Sequence, residues 1–183
     1  MKTKDLTLIA LFAALSAVGA FIKIPTPVCP ITLQLLFTTL SGVLLGGKKG
    51  AAAVAVYVFT GLVGFPVFTG GGGLSYVLQP TFGYLIGFII GAYVTGSIAH
   101  GGTPTMPRLL AGCFLGMVII FAVGIIYYLL ASRLWLAEPV EINKILVHGL
   151  FMPLPGDIFL CIFSAMLGKR LIPIINRSQP ERA

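Results

Sequence analysis

Charge is what this sequence has least of. Only 9% of its 183 residues are charged and five are carboxylates, against 57% hydrophobic residues and a mean hydropathy of +1.03. Soluble domains carry about a quarter of their residues as charges, so the balance excludes a soluble globular protein and defines an all-α integral membrane protein. Polar stretches are missing as well: none between apolar runs exceeds a short loop, and the longest charged tail is NRSQPERA. No segment is left for a separate catalytic domain, so residues 1–183 read as one membrane domain with a short polar tail at 175–183.

Groups that carry chemistry are equally scarce. The cysteines, Cys29, Cys113 and Cys161, are odd in number and scattered, without the spacing of metal ligands, which argues against a disulfide framework or a zinc site. His100 and His148 fall at opposite faces of the membrane, and no serine has a His–Asp arrangement nearby. A lone intramembrane carboxylate cannot supply paired acid–base chemistry, so the chain is not expected to be an enzyme. GVLLGGKK, residues 42–49, nearly spells the phosphate loop G-x-x-x-x-G-K-[ST], but Lys49 stands where the magnesium-binding hydroxyl belongs and the segment ends a membrane helix instead of following a strand. No cofactor, metal or nucleic acid is expected.

What is present is apolar and helical. A span needs about 20 residues to cross the hydrocarbon core, and six runs qualify: 6–24, 31–45, 51–67, 82–99, 109–130 and 157–172. The first has the basic start of a signal peptide, but its apolar run of about 18 residues is longer than a signal core and no small-x-small cleavage site follows, so it reads as a retained helix. Alternating loops put Lys2, Lys4, Lys48, Lys49, Arg108, Lys169, Arg170, Arg177 and Arg182 on one face and only Lys23, Arg133 and Lys144 on the other. This positive-inside bias predicts six transmembrane helices with both termini cytoplasmic.

The unusual loops then lie outside. IPTPVCP holds three prolines and reads as a stiff extended loop, while GGGG, residues 70–73, allows positive φ and close approach and so puts Gly73 at the rim of any site there. Asp157, in FMPLPGDIFLCIF, is the one carboxylate within an apolar span; it lies 12 residues before Lys169, about 18 Å from the cytoplasmic boundary. A charge at that depth costs roughly 2.5–3.5 kcal/mol and usually meets a cavity or partner. It reads either as a ligand contact or as the N-cap of the last helix, and both roles can coexist.

Gln79, followed by Pro80 and Thr81 at the start of the fourth span, has an amide that both donates and accepts, or it serves its own loop. Thr32 and Gln34 open the second span, and Tyr57, Tyr84 and Tyr93 lie within later ones, where interfacial partitioning alone can place a tyrosine. The first helix carries small residues four apart, Ala10 and Ala14, then Ala13 and Ala17, suited to close helix contact within the bundle or with another membrane protein.

PITLQLL, LLGGKKGAAAVAVYVFTGLVGFPVFTGGGG, QPTFGYLIGF and LPGD together resemble BioY, the biotin-specific S component of energy-coupling factor (ECF) transporters, over roughly residues 6–172. The resemblance implies a six-helix S-component fold in the plasma membrane of a bacterial-type cell, loading biotin from outside. Its partners would be a transmembrane T component and two ATPase subunits, which would account for the missing phosphate loop. It also implies docking through Ala10, Ala13, Ala14 and Ala17, and a ligand site built from Asp157, Gln79, Gln34, Thr32, Thr81, Gly73 and an inward-facing Tyr93. Biotin's ureido group, two N–H donors and one carbonyl, suits a carboxylate beside an amide. Two positions depart from the family: Leu160 stands where a lysine commonly follows LPGD, and Phe82 replaces a glycine in PTGGYL. The alternative from another class is a stand-alone, proton-driven transporter of a small vitamin-like solute.

Overall fold

The computed structural model describes residues 3–25, 30–134 and 140–177. Cys29 and part of the proline-rich loop, and residues 178–183 of the polar tail, lie outside the described residues, as do Lys2 and Arg182. Six helices form the bundle: α1 (Thr3–Phe21), α2 (Gln34–Leu45), α3 (Gly47–Leu62), α4 (Phe82–Ala99), α5 (Met106–Leu134) and, after a short α6 (Ile142–Leu146), α7 (Leu154–Arg177). Four helical segments are long and apolar enough to cross a membrane, Thr3–Phe21, Phe82–Ala99, Met106–Leu134 and Ile142–Ile175. α2 and α3 have only 12 and 16 residues and lie within the bundle.

The element boundaries depart from the apolar runs where backbone chemistry intervenes. α1 stops at Phe21 because Lys23–Ile24 (β1) pairs antiparallel with Ile31–Thr32 (β2), which also delays α2 to Gln34. The GGKKG loop expected between α2 and α3 shrinks to Gly46, whose φ of 84° turns the chain in one step and sets Lys48 and Lys49 on the first turn of α3. Beyond α5, the expected external loop holds α6 and a π turn at Val147–Phe151.

Contacts fix which helix ends lie together. Lys49 meets Asp5 at 2.6 Å, the His100 ring bonds the Val43 carbonyl at 2.9 Å, and Gly168 packs on Val43 and Leu109. The starts of α1, α3 and α5 therefore share one end with the ends of α2, α4 and α7, as alternating traversal requires. Asp5, only 6% exposed, is a second buried carboxylate that the apolar spans did not include.

α4 and α5 meet on backbone. Gly83, Gly87 and Gly91 recur every fourth residue, and a side chain at Gly87 would run into the Ile120 main chain at 2.9–3.4 Å. α5 answers with Gly112 and Gly116, and the Thr95 hydroxyl donates across the seam to the Gly112 carbonyl at 3.0 Å. Where lipid removes the hydrophobic drive between helices, such small-residue faces let dispersion and hydrogen bonding hold them. The outward faces carry large apolar side chains instead, among them Leu11 and Phe21 on α1, Val118 and Ile126 on α5, and Phe159 and Ile174 on α7.

Candidate ligand cavity

At the hairpin end of the bundle the helices part around a partly open cavity of about 60 Å³. α4 and α5 supply an apolar wall of Leu85, Phe88, Ile120 and Phe121, and Ile31 and Leu35 close the opposite side. Polar groups enter from four directions: Thr32 and Gln34 at the hairpin and start of α2, Thr69 and Tyr76 from the glycine loop, Thr81 at the start of α4, and Asp157 from α7.

The glycine loop is a built wall. Phe68, 2% exposed, anchors it between Tyr57, edge-on at 5.6 Å, and Tyr76 at 4.5 Å. Phe68 and Gly71 exchange backbone hydrogen bonds at 2.9 and 3.2 Å, and the Gly73 N–H reaches back to the Gly61 carbonyl at 2.7 Å. Gly71 and Gly73 hold φ of 117° and 104°, which a side chain would resist. A short 3₁₀ turn, Leu74–Leu78, then presents Tyr76, and the Tyr127 hydroxyl holds this turn by its Val77 carbonyl.

Asp157 is 7% exposed and lines the cavity, and no hydrogen bond or ion pair joins its carboxylate to any described residue. It is not an N-cap: α7 begins at Leu154, and the Asp157 N–H already closes a helical bond to the Pro153 carbonyl at 2.9 Å. The carboxylate is free to accept from whatever fills the cavity.

Gln34 is 3% exposed, and its Nε2 lies 3.1 Å from the Tyr57 hydroxyl, which in turn lies 3.2 Å from the Val67 carbonyl. The one phenolic proton of Tyr57 goes to Val67, so Gln34 donates with its NH₂, which leaves its carbonyl oxygen as an acceptor on a residue that lines the cavity. Thr32 Oγ1 accepts from the Gln34 N–H at 3.3 Å and keeps its proton. Thr69 Oγ1 and Tyr76 OH share one bond at 3.0 Å, so one of their two protons remains to donate. Tyr84 spends its hydroxyl on the Gly149 carbonyl at 2.9 Å, tying the apolar wall to the π turn that leads into α7.

Asp157, Gln34, Thr32 and Thr81 thus share the cavity, and three other expected ligand residues lie apart. Gln79 is exposed and does not line the cavity; its main-chain N–H bonds the Tyr76 carbonyl at 3.0 Å and its main-chain carbonyl accepts from Phe82 at 2.9 Å. Gly73 shapes the loop without lining the cavity. Tyr93, expected to face inward, is 46% exposed, and its backbone lies against Gly47 and Ser97 at the opposite end of the bundle. On α1, Ala10 and Ala14 are exposed, Ala17 is half-buried and Ala13 is buried within the bundle. Tyr76, Thr69, Phe88 and Phe121 line the cavity without having stood out in the sequence. Tyr84, one of the three tyrosines within the later spans, lines the cavity as well.

A helical membrane bundle with a partly open, mostly apolar cavity and a few convergent polar groups is the architecture of a membrane-embedded protein that binds a small molecule. The chain belongs to the BioY family, whose family model matches residues 1–177. It is 45% identical over 179 residues to "Probable biotin transporter BioY" of Lysinibacillus sphaericus, covering 97% of this chain and 91% of that protein. It is also 34% identical to "Probable biotin transporter BioY" of Pyrococcus horikoshii, over 93% of this chain and 98% of the relative. Its fold matches the crystal structure of the S-component for biotin from an ECF-type ABC transporter with a TM-score of 0.80 and 26% identity, covering 93% of this chain and 94% of that one.

Proposed function

We propose that this chain is the biotin-capturing S component of an ECF transporter in the plasma membrane, loading its ligand from outside. Asp157 carries the reading: a carboxylate buried in the cavity with no partner among the described residues needs N–H donors from a ligand to offset its desolvation. Asp157 and the Gln34 carbonyl are two acceptors, and the spare hydroxyl protons of Thr32 and of the Thr69–Tyr76 pair are donors. A ureido ring, with two N–H groups and one carbonyl, matches that set, and the apolar wall suits the rest of a compact fused bicycle.

Orientation follows from charge. Among the described residues, Lys4, Lys48, Lys49, Arg108, Lys169 and Arg170 gather at the end opposite the cavity, and Lys23, Arg133 and Lys144 lie at the cavity end. The positive-inside rule makes the first end cytoplasmic, with both termini there and the cavity facing out. Energy would come from a transmembrane T component and two ATPase subunits, docked against the exposed Ala10–Ala14 face of α1.

Calorimetric titration of biotin into the purified chain, beside Asp157→Asn, tests the reading. Tight binding in the wild type and a loss of about tenfold or more in the variant is the expected result, because charge-assisted hydrogen bonds are the strong ones. A folded wild type that ignores biotin would overturn it.

A further inference from the structure

A biotin-like ligand ends in a carboxylate, yet among the described residues no basic side chain lines the cavity. A cation at the rim would be the natural complement, and the described residues at this end give one with the right connections. Lys23 stands on β1 directly across from Thr32, and its ammonium donates to the Thr69 carbonyl. Both neighbours line the cavity, Thr32 from the hairpin and Thr69 from the glycine loop. Residues directly opposite in an antiparallel pair project from the same face, so Lys23 and Thr32 point together.

An interfacial lysine that only snorkels would extend its ammonium toward water and headgroups. Lys23 instead turns its stem across to the glycine loop. A carbonyl takes only one of its three protons, which leaves two for an incoming anion. The other cations here are committed or remote: Lys144 lies 3.7 Å from Glu141, and Arg133 is exposed on the last turn of α5.

We propose that Lys23 binds the carboxylate of the ligand at the rim of the cavity and makes the site selective for the acid over its neutral derivatives. This rests on the biotin reading above. In the same position Lys23 joins the hairpin to the glycine loop, so the bound anion would strengthen a link between the two covers of the site.

The test compares biotin with its uncharged amide by calorimetry on the full chain. Lys23→Gln removes the charge but retains a donor for Thr69, and Lys23→Arg retains the charge. The wild type is expected to prefer biotin to the amide by about tenfold, the effect of one charge-assisted bond. Lys23→Gln should lose that preference while binding the amide unchanged, Lys23→Arg should keep most of it, and higher salt should narrow the gap because the site is exposed. Equal weakening of both ligands by Lys23→Gln would reduce Lys23 to a loop tether and overturn the proposal. So would a wild type that binds acid and amide alike, with the biotin reading intact. A wild type that binds neither removes both.

Discussion

At the scale of single residues, the sequence exposed some of the cavity and concealed the rest for geometric reasons. A carboxylate in an apolar run has few roles, so Asp157 stood out from composition alone. Of the two glutamines beside apolar spans, only Gln34 lines the cavity, and that choice depends on the hairpin and the 3₁₀ turn, neither of which has a strong sequence signal. The tyrosines of α4 were more decidable. Tyr84 and Tyr93 are nine residues apart, two and a half helical turns, so they cannot both face the cavity. Tyr57 matters through Gln34: Tyr57→Phe removes the hydroxyl that orients the amide, leaving it free to rotate. Biotin binding should weaken several-fold and unfolding in detergent should shift by about 1 kcal/mol, the net worth of one hydrogen bond. Unaltered affinity in a titration of this variant would mean that the Gln34 carbonyl is not a ligand contact.

At the scale of elements, apolar length located all six bundle helices and both ends of α4, while other ends answer to local events: a two-residue ladder at β1–β2 and a single positive-φ glycine between α2 and α3. The α4–α5 seam is legible in the sequence. FGYLIGFIIG places a glycine at every fourth position, the same small-residue signal that drew attention to the alanines of α1. Gly87→Leu would force side-chain atoms into the Ile120 main chain, which cannot yield as a flexible side chain can. A destabilisation of about 1–3 kcal/mol or more is expected, visible as a lower thermal midpoint in detergent. The adjoining wall of Leu85, Phe88, Ile120 and Phe121 would move with it, so ligand affinity should fall as well. A variant as stable as wild type would show that the helices part at little cost.

The whole molecule divides its labour between two surfaces. The cavity lies among α2, α4, α5 and α7, while α1 packs on α2 and α3 and turns Ala10 and Ala14 outward. Ligand capture and the proposed docking are therefore separable. Ala14→Leu should leave biotin titration unchanged and lower uptake by about tenfold or more in vesicles holding the complete transporter, by blocking close helix approach. Unimpaired uptake would send the docking surface elsewhere on the molecule. The basic end is tied down independently: Lys49 on α3 holds the buried Asp5 of α1, so the helix proposed to dock is braced where it begins.

The brevity of α2 has a consequence for the distance the cargo must travel. Its 12 residues rise about 18 Å between the cavity, where Gln34 begins the helix, and the basic end. In the proposed transporter, with α2 running along the membrane normal from the inner boundary of a hydrocarbon core of about 30 Å, a molecule resting on Gln34 would lie some 12 Å below the outer one. The proposed powered step would have the remaining 18 Å or so to cover.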